Sequence, residues 1–362
     1  MKNSRVMGVV FCNTTDSKLP ELTTQRTMGS VPFGCRYRLV DFILSEMVNA
    51  GIRRVGLITK RNYQSLADHV GNGHPWDLAH KTGGLFMLSP YSYAQGGVYK
   101  GKMDALNNSM SFFEHSKEDY VIFGTSNVIS NFNVSDMIDK HIDSGADITI
   151  AYKEGLNAEY SLKLDGDRVV DISENVDNEA GSIGVIMISR TLLMDIVKDA
   201  TKHNYTDINS DIIKKALQSD VRGYRVGGYV SVIDSMQSYF DANMDLLNIN
   251  KRKELFYQNS PIFTKLRDDM PARYGFDSSV KNSLVADGCV IEGEVENCII
   301  FRGVKIGKGA VVRNSILMQS TVIEDNVSLD YVVADKNVVF KQGRTLVGCR
   351  SFPMVIGKGL TV

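Results

Sequence analysis

Residues 283–340 read SLVADGCVIEGEVENCIIFRGVKIGKGAVVRNSILMQSTVIEDNVSLDYVVADKNVVF. Apolar residues recur every six positions at Ile300, Ile306, Val312 and Met318. A second series, four residues later, holds Val304, Ala310, Ile316 and Val322. A period of six is that of a hexapeptide β-helix, in which each hexad forms one side of a triangular coil. The phase holds for four successive hexads and continues through Ile323/Val327 and Leu329/Val333 with a register change. Ordinary strands joined by turns would not be expected to keep such a phase. Residues 283–362 are therefore expected to form a β-helix, joined by 246–282 to whatever precedes it.

Upstream, short apolar runs alternate with helical stretches. RVMGVVF (5–11) reads as a strand. YRLVDFILSEMVNAG (37–51) reads as a helix, with Leu39, Phe42, Ile43, Met47 and Val48 on its apolar side and Gly51 as its stop. RRVGLIT (53–59) is again a strand, YQSLADHV (63–70) a helix, and KMDALNNSMSFFEHS (102–116) a helix leading into the strand DYVIFGTS (119–126). SDMIDKHIDSG (135–145) and ADITIAYK (146–153) repeat the pattern, and residues 168–190 add two more strands. Such alternation predicts an α/β domain over 1–245, with a mostly parallel sheet covered on both faces. Ligands of such sheets bind beyond the carboxyl ends of the strands. That directs attention to Cys12–Lys18 and Thr125–Val128.

The totals exclude several classes. The formal net charge is −1 over 362 residues, so no global field favours nucleic acid or an anionic membrane. The apolar run Val6–Cys12 is too short for a signal-peptide core or a membrane span. Five cysteines without CxxC spacing disfavour a disulfide framework or a zinc site and fit a reducing, cytoplasmic setting. None of the six histidines lies in the repeat region, where hexapeptide acyltransferases need a histidine base. No GxGxxG follows the first strand, which argues against a dinucleotide-dependent oxidoreductase.

VPFGCRYRLVDFILSEMVNAGIRRVGLIT (31–59) resembles the N-terminal block of ADP-glucose pyrophosphorylases, the glucose-1-phosphate adenylyltransferases. HVGNGHPWDLAHKTGGLFMLSPY (69–91), VYKGKMDALNNS (98–109) and VVADKNVVF (332–340) are similar to further blocks of that family, in the family's order. The resemblance implies a nucleotidyltransferase-like, Rossmann-like domain of GT-A type, a C-terminal left-handed parallel β-helix, and tetramers. It also implies a reaction in which a phosphate oxygen of glucose 1-phosphate attacks the α-phosphate of ATP. Such chemistry requires in-line positioning and charge screening, much of it by Mg²⁺ on one or two carboxylates.

Four departures fall on that chemistry. The family's glycine-rich phosphate loop matches Asn13, Thr14, Thr15, Asp16, Ser17, Lys18 and Leu19, with every glycine lost and Asp16 where triphosphate would lie. Lys18 replaces one arginine, and a following family lysine is Met28. The metal-holding aspartate after DYVIFG corresponds to Ser126, beside Asn127. The second metal aspartate corresponds to Val232, unless a two-residue slip brings in Asp234, since alternate strand residues share a face. The lysine that grips the sugar phosphate corresponds to Asn175, although Glu174 is retained. Catalytic positions are thus degenerate at Ser126, Val232 and Asn175. A nucleotide- and sugar-binding remnant is expected at Lys18, Gly101, Asp104, Glu174, Ser182 and Gly184, although glycine packing and a turn-capping serine would explain the last two equally.

Loss at four phosphate or metal positions resembles the GlgD-type subunit, a non-catalytic or weakly catalytic partner of the GlgC-type subunit. The implied partners are a catalytic GlgC-type subunit in a heterotetramer, or further copies of this chain when alone. No cofactor is expected here, with Mg²⁺ belonging to the catalytic partner. The resemblance also implies a site for phosphorylated-sugar effectors between the domains, at Arg36, Arg38 and Lys336. Solvated surface charge is the plainer reading of those three. The competing reading is an independently active enzyme making ADP-glucose through an altered metal site at Asp234 or Asp16.

Overall fold

A computed structural model describes residues 5–13, 15–90, 99, 101–174, 180–203, 220–256 and 260–362. Its first part is built on a nine-stranded sheet. The strand order is Gly84–Leu88, Arg54–Ile58, Val6–Phe11, Tyr120–Thr125, Ala180–Ser189, Ile148–Glu154, Val221–Arg225, Arg168–Glu174 and Tyr160–Asp165. The first four strands run parallel, as the alternation with helices requires. Ala180–Ser189 then enters antiparallel to both of its main neighbours, and the sheet is mixed from there outward. Successive residues of the first strand point to opposite faces. Met7, Val9 and Phe11 enter one core and Val6 and Val10 the other. Among the described residues no helix is long and apolar enough to cross a membrane.

The second part is the left-handed parallel β-helix, three five-stranded parallel sheets wrapped as one coil. Its ladders begin at Arg273, inside the stretch expected to be a linker, which also holds the helix Ile249–Phe256. Lys305 pairs with Val322 and Val322 with Val339, so these coils take 17 residues, one fewer than three hexads, while the step from Val290 to Lys305 takes 15 and that from Val332 to Met354 takes 22. That missing residue explains the register change and corrects part of the apolar series. Ile300, Ile306 and Val312 fill the coil interior, but Leu317 takes the next inward place. Ile316 and Met318 turn outward and pack on the first part. The corners carry left-handed residues that stack from coil to coil. Asn282, Asn297 and Asn314 have φ of 41°, 53° and 45°, and their amides form a ladder ending on Asp330.

A third core fastens the two parts together. Leu39, Phe42, Tyr239 and Phe240 meet Ile299, Phe301, Ile316, Met318 and Val333. Beside it Arg26 and Asp335 form a bidentate ion pair at 2.8 and 2.9 Å, each side chain 3% exposed.

Candidate functional site

Phe11 lies opposite Thr125 in the parallel ladder, so Cys12 and Ser126 leave the sheet side by side. The Met28–Ser30 turn crosses them, with the Gly29 N–H donating to Cys12 O at 3.1 Å. A Cβ on Gly29 would sit 3.2 Å from Ser126 Oγ, a contact only a glycine leaves loose. Gly184, at φ +72° in the bulge between Ser182 and Ile186, abuts Thr125. Val232 lies opposite Val128, and Asn127 exchanges hydrogen bonds with Ile233: Ile233 N–H to Asn127 O at 2.7 Å, Asn127 Nδ2 to Ile233 O at 3.1 Å. The fold therefore brings Ser126, Val232 and Gly184 to one neighbourhood.

The groups assembled there are a hydroxyl, an isopropyl and an amide. Ser126 is buried, and its Oγ has no hydrogen-bond partner among the described residues. Mg²⁺ needs charged or strongly polar oxygen ligands, and the side chains at these two positions do not fit it. Asp234 does not supply the missing carboxylate by strand alternation. The strand ends at Val232, and Asp234 is exposed beyond it, accepting from Ser235 Oγ at the start of the Met236–Asp245 helix. Asp16 is committed elsewhere: its Oδ1 accepts the Met28 N–H at 2.7 Å, and burial pushes its carboxyl up to about 7.

The other remnant positions lie on separate elements. Lys18 is exposed at the end of a short turn, and Glu174 is exposed at a strand end. Gly101 precedes the Lys102–Asn108 helix, where Asp104 accepts from Asn108 Nδ2 at 3.1 Å. The Ser182 hydroxyl accepts the Gly184 N–H at 3.2 Å, a local turn bond. Asn175 lies outside the described residues.

A second site lies between the two parts, where a cavity of about 400 Å³ is lined by Arg36, Arg38 and Lys336 together. Lys265, Arg267, Arg302 and Lys358 join them. Some of this charge is held by the protein: Arg38 donates to Ser65 O and Oγ, and Lys265 Nζ to Asp68 O. Arg36, Arg267, Lys336 and Lys358 form no ion pair among the described residues. Arg302 is 8% exposed, and its Nε and one terminal nitrogen are buried without a partner. An unpaired buried cation such as Arg302 is costly, and the exposed Arg36, Arg267 and Lys358 with the half-buried Lys336 around it suit an anion. Burial, reinforced by Arg38 and Arg26, pushes the Lys336 amine down to about 7. Across the cavity His69 Nε2 lies 2.6 Å from Asp41 Oδ1, whose other oxygen accepts the Arg38 N–H.

Arg302 is not apparent from motif reading, but the 17-residue coil spacing carries its signal; Lys358 joins through a longer last coil of 22 residues. Ser320 N–H bonds Arg302 O, Asn337 N–H bonds Gln319 O, and Gly359 N–H bonds Lys336 O. Arg302, Gln319, Lys336 and Lys358 thus occupy one column on successive coils.

A mixed α/β domain with its candidate site at the adjacent ends of Val6–Phe11 and Tyr120–Thr125, joined to a hexapeptide β-helix, defines a nucleotidyltransferase-type protein. Residues 10–249 match the family described as Nucleotidyl transferase, and 270–350 the GlmU-like C-terminal hexapeptide family. The glycogen biosynthesis protein GlgD of Bacillus subtilis (strain 168) is 35% identical over 361 residues, covering 99% of this chain and 98% of that protein. GlgD of Geobacillus stearothermophilus is 36% identical over 86% of this chain and 83% of its own length. The glucose-1-phosphate adenylyltransferase of Fervidobacterium nodosum is 30% identical over 95% of this chain and 85% of its own. The chain belongs to the family of GlgD glycogen biosynthesis proteins, related to the glucose-1-phosphate adenylyltransferases.

Proposed function

We propose that this chain is a regulatory, non-catalytic or weakly catalytic subunit of a cytoplasmic glucose-1-phosphate adenylyltransferase. It co-assembles with a catalytic GlgC-type subunit, which supplies the Mg²⁺ chemistry, in a heterotetramer. Its own contribution is the inter-domain basic cavity, which takes phosphorylated-sugar effectors. The observation that supports this most is a contrast between two sites. Where catalysis needs carboxylates the chain has Ser126 and Val232, whereas between its domains cations outnumber the one acid that lines the cavity, Asp68, and Arg36, Arg267, Lys336 and Lys358 form no ion pair among the described residues. A planar guanidinium suits bidentate phosphate recognition, and three arginines beyond Arg38 and Lys336 line the cavity.

The test assays ADP-glucose synthesis by the purified chain, then by the chain mixed with its catalytic partner, with and without phosphorylated sugars. The chain alone is expected to be weak and the mixture activated. High specific activity of the chain alone would sink the reading. Unchanged activation after Arg36→Ala would remove the effector site from it.

A further inference from the structure

Lys336 stands in the basic column with Lys358 on the next coil and Arg302 two coils away, on the far side of Gln319. Its amine has no ion-pair or hydrogen-bond partner among the described residues, and the neighbouring acid, Asp335, is already taken by Arg26. Arg36, Arg267, Arg302 and Lys358 line the same cavity, so an anionic group can be held without using the Lys336 amine as its only counter-ion. A lysine amine placed this way is a nucleophile beside an anion cradle. The amine is held down to about 7 by burial and by Arg38 and Arg26, so a large fraction is uncharged near neutral pH.

We propose that Lys336 is a modification site, acylated by acyl phosphates that dock their phosphoryl group on the surrounding arginines. The inference rests on the cavity being an anion site. The Nζ lone pair attacks the carbonyl carbon of the bound acyl phosphate and an N–C bond forms. The C–O bond to phosphorus breaks, and the electron pair leaves with inorganic phosphate, which takes the proton released by the amine. The product is an amide on Nζ; nothing is oxidised or reduced. Acylation abolishes the chargeable amine and lengthens the side chain into the cavity, so the modified chain binds anions more weakly.

The test incubates the full chain with acetyl phosphate and follows each lysine by site-resolved mass spectrometry. Lys336 is expected to acetylate about tenfold or more faster than Lys305 and Lys308, which are exposed on the same β-helix and do not line the cavity. Inorganic pyrophosphate should suppress that advantage. Arg302→Gln, and Arg36→Gln as a second variant on the other wall, should slow reaction with acetyl phosphate. Neither should slow reaction with a neutral acetylating ester, which needs no anion cradle. Acetylation of Lys336 at the rate of Lys305, or a rate indifferent to pyrophosphate and to both variants, overturns the proposal. Calorimetry with pyrophosphate separates the two readings. Binding without selective acetylation removes this inference alone; absence of binding removes the anion site with it.

Discussion

Arg26 and Asp335 share two hydrogen bonds, at 2.8 and 2.9 Å, across the boundary between the α/β domain and the β-helix. Both side chains are 3% exposed, so neither charge has water to fall back on. A buried pair gains little over well-packed apolar groups, but removal of one partner leaves a charge stranded. Asp335→Leu alone is therefore expected to destabilise the chain by about 3–5 kcal/mol, and Arg26→Met alone by a similar amount. The double variant should cost much less than their sum. Urea unfolding of all four proteins measures this coupling; simple additivity would show that the pair does not act as a unit.

Gly184 is predicted to be intolerant of a side chain for two separable reasons. Its φ of +72° disfavours any L residue, and a Cβ would meet Thr125 Oγ1 at 2.9 Å. Gly184→Ala should cost about 1–3 kcal/mol. Adding Thr125→Ala should recover the contact part but not the backbone part. Urea midpoints of the single and double variants read the split, and full recovery in the double would mean the backbone carries no strain.

Glu46 gives a pH signature. It is 2% exposed in the helix Leu39–Asn49. Its Oε1 accepts from Ser130 Oγ at 2.7 Å and from Phe132 N–H at 3.2 Å, while Oε2 is buried with no partner. Burial outweighs those two bonds and lifts the carboxyl from 4.5 to about 7. The folded chain thus holds a proton that the unfolded chain has lost over this window. The stability this group contributes is fully present below about pH 4.5 and is lost as pH rises through about 7. Its size is at most about 3 kcal/mol. His141, pushed down to about 4 by burial, acts in the opposite sense, so the comparison must be made between proteins. Relative to the natural chain, Glu46→Gln should gain stability between about pH 5 and 7 and level off above that. A difference that stays flat with pH would show that Glu46 is ionised throughout.

The β-helix was legible because an inward-facing period survives in a single sequence. Its drift was not, because Ile316 and Met318 are apolar either way: one set of residues lines the coil and another seals the domain boundary. Strand direction was hidden for a different reason. Ala180–Ser189 carries the same apolar run whether it enters parallel or antiparallel, and only the path of the intervening chain decides. In the cavity, Arg36, Arg38 and Lys336 were accessible through resemblance to known blocks. Arg302 required knowing that a coil takes 17 residues, and Lys265 and Arg267 lie in a stretch with no motif or period.

The proposed loss of catalysis carries a prediction of its own. Ser126 and Val232 are held in one neighbourhood by the Asn127–Ile233 bonds, so aspartates at both places would share a cleft. The combined variant Ser126→Asp, Val232→Asp and Asn175→Lys, with the glycine loop rebuilt over residues 13–18, is expected to gain ADP-glucose synthesis with Mg²⁺. Each single reversion should gain almost nothing, because groups that hold one metal and one phosphate act together. The rebuilt loop is essential, since Asp16 now ties the first loop to Met28 and Gly29 sits against Ser126. Pyrophosphate release measures the gain. If the combined variant folds, still binds anions between its domains and yet makes no ADP-glucose, these positions are not the ones that limit catalysis in this chain.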